Sequence, residues 1–363
     1  MASYRSIKDF DWGLLLIALL IAAIGILQIF SAGQGTKWKD LWWKQIIFVC
    51  LGLVLMWIIS SIDYHTLLGQ VPILYGATIL LLIVTALFGV KIFESRRWIA
   101  LPGGFLFQIS EFAKLVMVLL VARFLTELRS ESMHWKDLAK LCGLVMLPIF
   151  MVMKQPDLGT SMTYMPILAM GVFLAGLRWQ YTVLLAVLAI VLIPSSWFLL
   201  KDYQKSRIQT FLDPSRDPKG DGYQVIQSKI AIGNGGMWGK GVTKGTQTRY
   251  QFLPVPHTDF VFSAFAEEHG FVGVVFVLGL YFLLFMQIVQ NAQTAPDRGG
   301  MYICMCICST LLFHLLVNVG MVVGRMPVTG IPLPLMSNGG SGMLSVFLML
   351  GLVNNVRLRR FVN

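Results

Sequence analysis

The sequence contains few charged residues. Only 13% of its 363 residues are Asp, Glu, Lys or Arg, whereas an average soluble protein has about 25%. Hydrophobic residues make up 56% of the chain, and the mean hydropathy is +0.71. This composition excludes an ordinary soluble globular protein and indicates a polytopic membrane protein.

Cysteine is scarce and lies in apolar surroundings. All five cysteines fall inside hydrophobic segments: Cys50, Cys142, Cys304, Cys306 and Cys308. A small thiol in such a segment packs like any other small side chain. On a helix, Cys304 and Cys308 share a face while Cys306 points away, which makes a poor chelate. We therefore expect neither disulfides nor a cysteine metal site.

The sequence also lacks a nucleotide-binding loop. The Gly-rich run Ile232–Gly245 has the composition of a loop whose backbone amides cradle phosphate. However, position 234, where the first Walker glycine belongs, is Asn, and the pair Gly239-Lys240 is followed by Gly241. Turn chemistry is the simpler explanation. We expect no nucleic-acid partner.

Long apolar runs are what the sequence does contain. Windows of about 20 apolar residues predict an all-α polytopic membrane protein with about ten transmembrane helices. The first run is too long for a signal-peptide core of roughly 7 to 15 residues, so we expect it to remain as a span. The expected spans are 12–30, 42–60, 67–90, 105–126, 138–153, 160–176, 180–200, 260–289, 301–323 and 333–356.

The distribution of basic residues predicts the orientation. With the N-terminus inside, the inner segments carry eleven Lys and Arg residues and the short outer loops carry seven. This bias in short loops favours both termini in the cytoplasm. The long connection 201–259, between spans 7 and 8, is then extracytoplasmic and holds nine further basic residues. Such a loop suits an anionic ligand, and a solvated loop without function is the alternative.

The fourth expected span contains two opposite charges. Glu111 and Lys114 are three residues apart and share one helical face. Each charge at mid-membrane costs about 2.5 to 3.5 kcal/mol on insertion scales, so such residues pair or face a cavity. Two interpretations remain open at this point, namely an ion pair that locks the helix bundle and a role at a polar cavity.

Two further polar groups lie where spans meet the outer surface. In the turn MKQPDLGT, Lys154 and Asp157 are expected beside one another, and Asp157 is placed to cap the sixth span. In FLPVPHTDFVFSAFAEEHG, His257 and Asp259 come just before an apolar run. Either of these two could act as a general base, while an N-cap at Thr258 or Asp259 is the simpler alternative.

The same motifs carry a resemblance to a known family. The matching blocks are RRW at 96–98, SEFAKL at 110–115, KQPDLGTS at 154–161, DPSRDPKGDGYQVIQSKIAIGNGG at 213–236, HTDFVFSAFAEEHG at 257–270, NVGMVVG at 318–324 and PVTGIPLPL at 327–335. Their order and spacing cover nearly the whole chain. The sequence is similar to the SEDS family (shape, elongation, division, sporulation), and the motifs KQPDLGT and GIPLPL favour its elongation branch.

The resemblance implies a fold, an activity and a site. It implies a single SEDS-type membrane domain over 1–363 that polymerises lipid II into peptidoglycan outside the bacterial cytoplasmic membrane. The acidic residue of the HTDF motif, here Asp259, is implied to be the catalytic group. Glu111, Lys114 and Asp157 match polar positions of the family's central cavity, and Lys154, His257 and Ser337 are expected to support the site.

The same resemblance suggests ligands and partners. We expect Arg96, Arg97, Lys205, Arg207, or a divalent cation such as Mg²⁺ or Mn²⁺, to neutralise the polyprenyl pyrophosphate that leaves. The expected partners are a class B penicillin-binding protein and other membrane proteins of the elongation complex. A flippase for the same lipid and a noncatalytic scaffold for the penicillin-binding protein are the alternative functions.

Three motifs and one single position depart from the family pattern. Ile109 replaces Pro in QPSE, Val255 replaces Glu in FLPE, and Asn338 replaces Tyr in the motif SNGGSG at 337–342. The same motif also ends in Gly342 where Ser is usual, and Arg325 stands where an apolar residue is common. None of these changes touches Asp259, but they put the geometry around the outer loops in question.

Overall fold

A computed structural model describes residues 9–36, 38–92, 95–101, 105–128, 133–176, 180–181, 183, 202–216 and 220–360. The α-helices are α1 (Trp12–Gly33), α2 (Leu41–Ser61), α3 (Tyr64–Gly69), α4 (Val71–Phe88), α5 (Ile109–Thr126), α6 (Trp135–Lys154), α7 (Leu158–Met162), α8 (Met165–Leu174), α9 (Asp202–Leu212), α10 (Asp221–Gly235), α11 (Thr246–Arg249), α12 (Val261–Gln293), α13 (Arg298–Val322) and α14 (Gly340–Arg359). A 3₁₀ turn follows α9 at Pro214–Arg216.

Within the described residues, six helices are long and apolar enough to cross a membrane: α1, α2, α4, α12, α13 and α14. Helices α5 and α6 have 18 and 20 residues, but they carry more charge. The protein is thus a multi-pass helical membrane protein, and the expected number of ten spans is not confirmed. The expected seventh span, 180–200, lies almost wholly outside the described residues.

Several expected span boundaries are wrong. The third span divides into α3 and α4, and the sixth divides into α7 and α8. Pro166, in the first turn of α8, has no backbone N–H to continue a hydrogen-bond ladder from α7. The tenth span begins as a helix only at Gly340, because the preceding segment 323–339 is an extended loop.

The expectation of an all-α fold also needs a correction. The chain forms a three-stranded antiparallel sheet of β1 (Val90–Ile92), β2 (Ser95–Leu101) and β3 (Phe105–Phe107), in that order. The strands are rich in the β-branched and aromatic residues that suit a pleated surface. Because side chains alternate along a strand, the neighbours Arg96 and Arg97 face opposite sides of β2.

Helix α12 is broken where the long outer connection packs against it. Gly270 has φ +66° inside the helix, a left-handed conformation that glycine adopts without strain. The segment 236–241 contacts the break from both sides. The backbone N–H of Lys240 donates to the Glu267 carbonyl at 3.0 Å, and the N–H of Phe271 donates to the Gly236 carbonyl at 2.9 Å. The connection 201–259 is therefore partly helical and anchored to a membrane helix.

The centre of the bundle is formed by α13 and α14, whose residues are mostly buried. Helix α14 packs closely against α2 because a glycine faces the partner on each helix. A β-carbon at Gly52 would lie 2.5 Å from Phe347 Cδ2, and one at Gly351 would lie 2.9 Å from the Met56 carbonyl oxygen. The cysteines are free, and Cys304, Cys306 and Cys308 are buried in α13.

Candidate active site

Asp259 lies in the loop just before α12. The N-cap of that helix is Phe260, and no side chain caps it, so the N-cap alternative for Asp259 is wrong. Asp259 is a partly buried residue, and its carboxylate lies beside Gly330, where an added β-carbon would lie 3.6 Å from Asp259 Oδ2. Among the described residues, this carboxylate forms no hydrogen bond and no ion pair. It is therefore available to a substrate.

The backbone of Asp259 is held by Asn318 of α13. Asn318 Nδ2 donates to the Asp259 carbonyl oxygen at 3.0 Å and to the Ile331 carbonyl oxygen at 2.8 Å. One buried amide thus ties the Asp259 loop to the α13–α14 loop, residues 323–339. Sequence reasoning missed this role, because the sequence shows Asn318 only as the first residue of the block NVGMVVG.

The environment of Asp259 alters its protonation. Burial raises the pKa of the Asp259 carboxyl above its ordinary value, while the charges of Arg97 and Arg207 act in the opposite direction. Arg97 is on β2 and Arg207 is on α9, so two separate parts of the chain bring positive charge to the same carboxylate. Such an arrangement favours a carboxyl group that can exchange a proton.

Two residues of the motif SNGGSG anchor the Asp259 loop through the backbone. Ser337 Oγ donates to the Thr258 carbonyl at 2.7 Å and accepts from the Leu333 N–H at 2.8 Å. The Asn338 N–H donates to the His257 carbonyl at 2.9 Å. Ser337 therefore supports the site by holding its loop.

His257 is placed differently from Asp259. Its side chain is only 4% exposed, its ring centroid lies 4.9 Å from that of Trp38, and its Nδ1 is buried with no hydrogen-bond partner among the described residues. Burial lowers the pKa of the His257 imidazole to about 4. The imidazole is thus neutral near pH 7 and is packed into the protein.

The Asp157 carboxylate contacts residues of β2, of the start of α5 and of α7. Asp157 Oδ1 forms an ion pair with Arg97 Nη1 at 3.2 Å and accepts the Thr160 N–H at 3.2 Å. Gln108 Nε2 donates to Asp157 Oδ2 at 2.9 Å. The predicted cap is therefore confirmed for α7. The expected neighbour is wrong, however, because the ammonium of Lys154 lies over the Phe150 ring, 4.6 Å from its centroid.

The turn at Asp157 is adjacent to the Asp259 site. A β-carbon at Gly159 would lie 2.5 Å from the Thr329 carbonyl oxygen, so α7 contacts the α13–α14 loop one residue before Gly330. Glycine at this position permits the close approach. Asp157 and Asp259 consequently lie on either side of the same short segment, with Arg97 acting on both carboxylates.

Glu111 and Lys114 form the expected ion pair. Lys114 Nζ lies 2.8 Å from Glu111 Oε2, and both side chains are almost fully buried. The ammonium also donates to His314 Nε2 at 3.2 Å, and His314 Nδ1 in turn donates to the Pro332 carbonyl at 3.3 Å. The pair is thus linked to the α13–α14 loop, two residues beyond Gly330.

The structure divides the predicted site residues into three groups. The first group is connected by ion pairs, hydrogen bonds or charge to Asp259 or to the α13–α14 loop, and Ser337 holds the Asp259 loop beside His257: Asp259, Arg97, Arg207, Asp157, Glu111 and Lys114. Arg96 and Lys154 instead line a separate cavity with Lys91. Lys205 is half-buried on α9, and no hydrogen bond or ion pair of its ammonium is found within the described residues.

The described residues do not contain a ready-made metal site. Within the described part of the chain, no three His, Cys, Asp or Glu residues are grouped so that they could hold a metal ion. Both Asp157 oxygens already bind protein donors, which leaves Asp259 as the one open carboxylate next to the Arg97 side chain. In the part of the chain that the structure describes, the side chains therefore do not fit a metal centre built from protein ligands.

Comparisons with known proteins give a consistent result. The family model FTSW_RODA_SPOVE, described as "Cell cycle protein", matches residues 11–360. The peptidoglycan glycosyltransferase RodA of Treponema pallidum is 35% identical, over 98% of this chain and 99% of the relative. The peptidoglycan glycosyltransferase MrdB of Escherichia coli K12 is 39% identical, over 96% of this chain and 94% of the relative.

Solved structures match over the same extent. A chain from the work titled "Structural coordination of polymerization and crosslinking by a peptidoglycan synthase complex" superposes with a TM-score of 0.84 at 36% identity, covering 98% of this chain and 99% of that chain. The crystal structure of the Rod shape determining protein RodA of Thermus thermophilus superposes with a TM-score of 0.72 at 29% identity, covering 97% and 98%.

Proposed function

The chain belongs to the FtsW/RodA/SpoVE family, and from that premise we propose that it is a peptidoglycan glycosyltransferase that polymerises lipid II into glycan strands during cell elongation. The observation that carries the catalytic part of the proposal is the Asp259 carboxylate. It is held in place by its backbone, is free of protein partners among the described residues, and lies under the influence of two guanidinium groups.

The reaction follows from the chemistry of the substrate. The sugar of the donor is α-linked to a polyprenyl pyrophosphate and the product linkage is β, so one displacement with inversion suffices. The 4-hydroxyl oxygen of the acceptor sugar forms a bond to the anomeric carbon while the bond from that carbon to the pyrophosphate oxygen breaks. The pyrophosphate leaves with the electron pair, and Asp259 takes the hydroxyl proton. No covalent intermediate on the enzyme is needed.

Arg97 and Arg207 are the cations best placed to stabilise the leaving pyrophosphate. Both act electrostatically on Asp259, which the acceptor hydroxyl must approach. Arg97 is also oriented by its ion pair with Asp157. A divalent cation that took part would arrive with the pyrophosphate, since such ions are commonly held by substrate phosphates and one or two carboxylates. Its chemistry would be to neutralise developing charge on that group.

Asp259 is a better general base than His257 for a geometric reason. The His257 ring is packed against Trp38 and the residue is almost fully buried, whereas Asp259 is a partly buried residue whose carboxylate is unpartnered among the described residues. Basicity does not favour His257, because burial lowers the pKa of its imidazole to about 4, whereas burial raises the pKa of the Asp259 carboxyl. Access therefore decides between them.

The proposal includes a membrane topology and a partner. Ten spans would place both termini in the cytoplasm and the connection 201–259 outside the bacterial cytoplasmic membrane, as the short-loop charges predict. A class B penicillin-binding protein is the expected partner, because polymerisation leaves the peptides uncrosslinked. The similar solved chain comes from what its title calls a peptidoglycan synthase complex, which supports this part of the proposal.

A flippase for the same lipid-linked precursor is the second candidate function. The buried cluster of Glu111, Lys114 and His314 favours it, since charges in a membrane bundle often line a transport path. Glycan synthesis in detergent separates the two functions, because flipping has no meaning without a bilayer. If the protein is a noncatalytic scaffold, the purified complex is expected to synthesise no glycan.

Asp259→Asn is the direct test. Since the Asp259 side chain has no hydrogen bond to lose among the described residues, Asn is expected to leave folding and partner binding unchanged while slowing glycan synthesis by about 10² to 10⁴ or more. The measurement is lipid II polymerisation by the purified protein with its partner, beside thermal unfolding. His257→Gln is the control and is expected to retain a measurable fraction of activity. Near-normal synthesis by folded Asp259→Asn protein would refute the assignment.

A further inference from the structure

A cavity of about 260 Å³ lies outside the candidate active site, on the other side of β2. Its lining residues are Ala86, Lys91, Arg96, Lys154, Gln155 and Pro156. Three of these six are cations and none is acidic. Three positive charges grouped around one cavity repel each other, so an anion that enters it relieves this repulsion.

The positive charge of this cavity is not neutralised by described residues. Among them, Lys91, Arg96 and Lys154 form no ion pair with a carboxylate. Arg96 Nη1 donates to the Leu87 carbonyl at 3.2 Å, which leaves its other N–H groups for a ligand. Glu94 lies outside the described residues, and a carboxylate there would still leave a net charge of about +2.

The cavity is separate from the catalytic cations because of strand geometry. Arg97 points to Asp157 and acts on Asp259, while Arg96, its neighbour on β2, points to the opposite face. A ligand in the cavity is consequently divided from the Asp259 site by the strand itself.

The surroundings of the cavity are those of a membrane boundary. At the end of α4, Leu87 and Phe88 are 60% and 80% exposed, and on the last turns of α6, Phe150 and Met153 are 55% and 38% exposed. Exposed apolar side chains on membrane helices face lipid tails. The ammonium of Lys154 lies over the Phe150 ring, 4.6 Å from its centroid, so one cation of the cavity borders this exposed apolar surface directly.

We propose that this cavity binds the phosphate of an anionic phospholipid, with the acyl chains lying along the exposed ends of α4 and α6. Basic pockets between membrane helices are a recognised form of lipid headgroup site. A volume of about 260 Å³ accommodates a phosphate headgroup. Binding of this lipid does not depend on the proposed glycosyltransferase reaction.

The test measures lipid binding to the purified full-length protein in detergent by native mass spectrometry. Phosphatidylglycerol is titrated against the wild type, Lys91→Gln/Lys154→Gln, and the control Lys136→Gln/Lys140→Gln. The control removes two exposed charges from the opposite end of α6. Phosphatidylcholine is the uncharged-headgroup probe, and inorganic pyrophosphate and farnesyl pyrophosphate are the competitors.

The site variant is expected to bind phosphatidylglycerol about tenfold more weakly or worse, and the control to remain within about twofold of the wild type. A charge-conserving Lys91→Arg/Lys154→Arg variant is expected to retain binding, which guards against a folding defect. Equal loss in both Gln variants, or equal affinity for phosphatidylcholine, would overturn the site. Displacement of the lipid by equimolar inorganic pyrophosphate or farnesyl pyrophosphate would overturn the phospholipid assignment.

Discussion

Arg96 and Arg97 are adjacent in the sequence and serve different sites. Arg97 forms the ion pair with Asp157 and lowers the pKa that burial has raised at Asp259. Arg96 lines the basic cavity and donates to the Leu87 carbonyl. Because side chains alternate along β2, the two guanidinium groups lie on opposite faces of the strand. A substitution of one arginine is therefore a matched control for the same substitution of the other.

Arg97→Gln is predicted to change the pH dependence of glycan synthesis. The general base must be ionised, so activity rises as pH rises through the pKa of Asp259. Removing Arg97 removes a charge that lowers this pKa. The rising, acidic side of the pH–rate profile, called the acid limb below, is therefore expected to move to higher pH. The measurement is the rate of lipid II polymerisation between about pH 5 and pH 9.

Two controls make the cause specific. Arg96→Gln is expected to leave the acid limb in place, because Arg96 faces the other side of β2. Asp157→Asn breaks the ion pair but keeps the Arg97 charge, so it is not expected to move the limb upward. An acid limb that is unchanged in Arg97→Gln would contradict the role of this arginine or the assignment of Asp259 as the base.

At the level of whole elements, α5 connects the membrane core to the site. It carries the Glu111–Lys114 ion pair, which reaches the α13–α14 loop through His314 and the Pro332 carbonyl. It also begins directly after Gln108, which binds Asp157. Helix α5 is therefore connected to the α13–α14 loop by two routes, one through His314 and one through the turn at Asp157.

Breaking the α5 pair is predicted to destabilise the protein strongly. Glu111→Gln or Lys114→Met leaves a buried charge without its partner, which typically costs about 3 to 5 kcal/mol. The double variant removes both charges and is expected to recover most of that stability. Thermal unfolding in detergent gives stability, and lipid II polymerisation gives activity.

The double variant distinguishes a structural pair from a support of the active site. Recovered stability with low activity is expected if the pair orients the α13–α14 loop. Glu127→Gln is the control on the same helix, because its exposed pair with Arg123 is expected to be worth about 1 kcal/mol or less. Normal stability and activity in either single variant would show that the pair has neither role.

At the level of the whole molecule, the site is assembled from distant parts of the chain. Residues of β2, α5, α7, α9 and α13 meet around the α13–α14 loop, and the Asp259 loop is fixed to it by Asn318 and Ser337. The broken helix α12 adds a further connection, since the segment 236–241 binds its kink at Gly270. The outer connection and a membrane helix are thus joined at this kink.

The proposed topology predicts the accessibility of engineered cysteines. Ser215→Cys, in the exposed 3₁₀ turn of the connection 201–259, is expected to react with a membrane-impermeant maleimide in intact cells. Lys140→Cys on α6 is the control and is expected to react only after permeabilisation. Exposed Cys50 is first replaced by Ala in both proteins. The reverse labelling pattern would invert the orientation and move the active site to the other face.

The effect of the four departures from the family pattern could be judged only from the structure. Ile109 is the first residue of α5, where Pro is favoured but not required. Asn338 contacts the Asp259 loop through its backbone N–H, so its side chain is not needed there. Val255 and Arg325 are exposed. These positions leave the contacts around Asp259 intact.

The sequence by itself determined the membrane class, most of the long helices and several residues of the candidate site. Hydropathy and helix capping depend on residues that are close together in the sequence. These local signals therefore predicted α1, α13 and the cap at Asp157. The Glu111–Lys114 pair was also predictable, because i and i+3 residues meet on any helix.

Only the tertiary structure decided which distant residues meet. Spacing could not show that Asp157 pairs with Arg97 and not with Lys154, that Asp259 caps no helix, or that Asn318 holds its backbone. Nor could it show that a strand would divide Arg96 from Arg97. Such contacts join residues about 60 positions apart, and they are selected by packing and burial, which no local pattern in the sequence records.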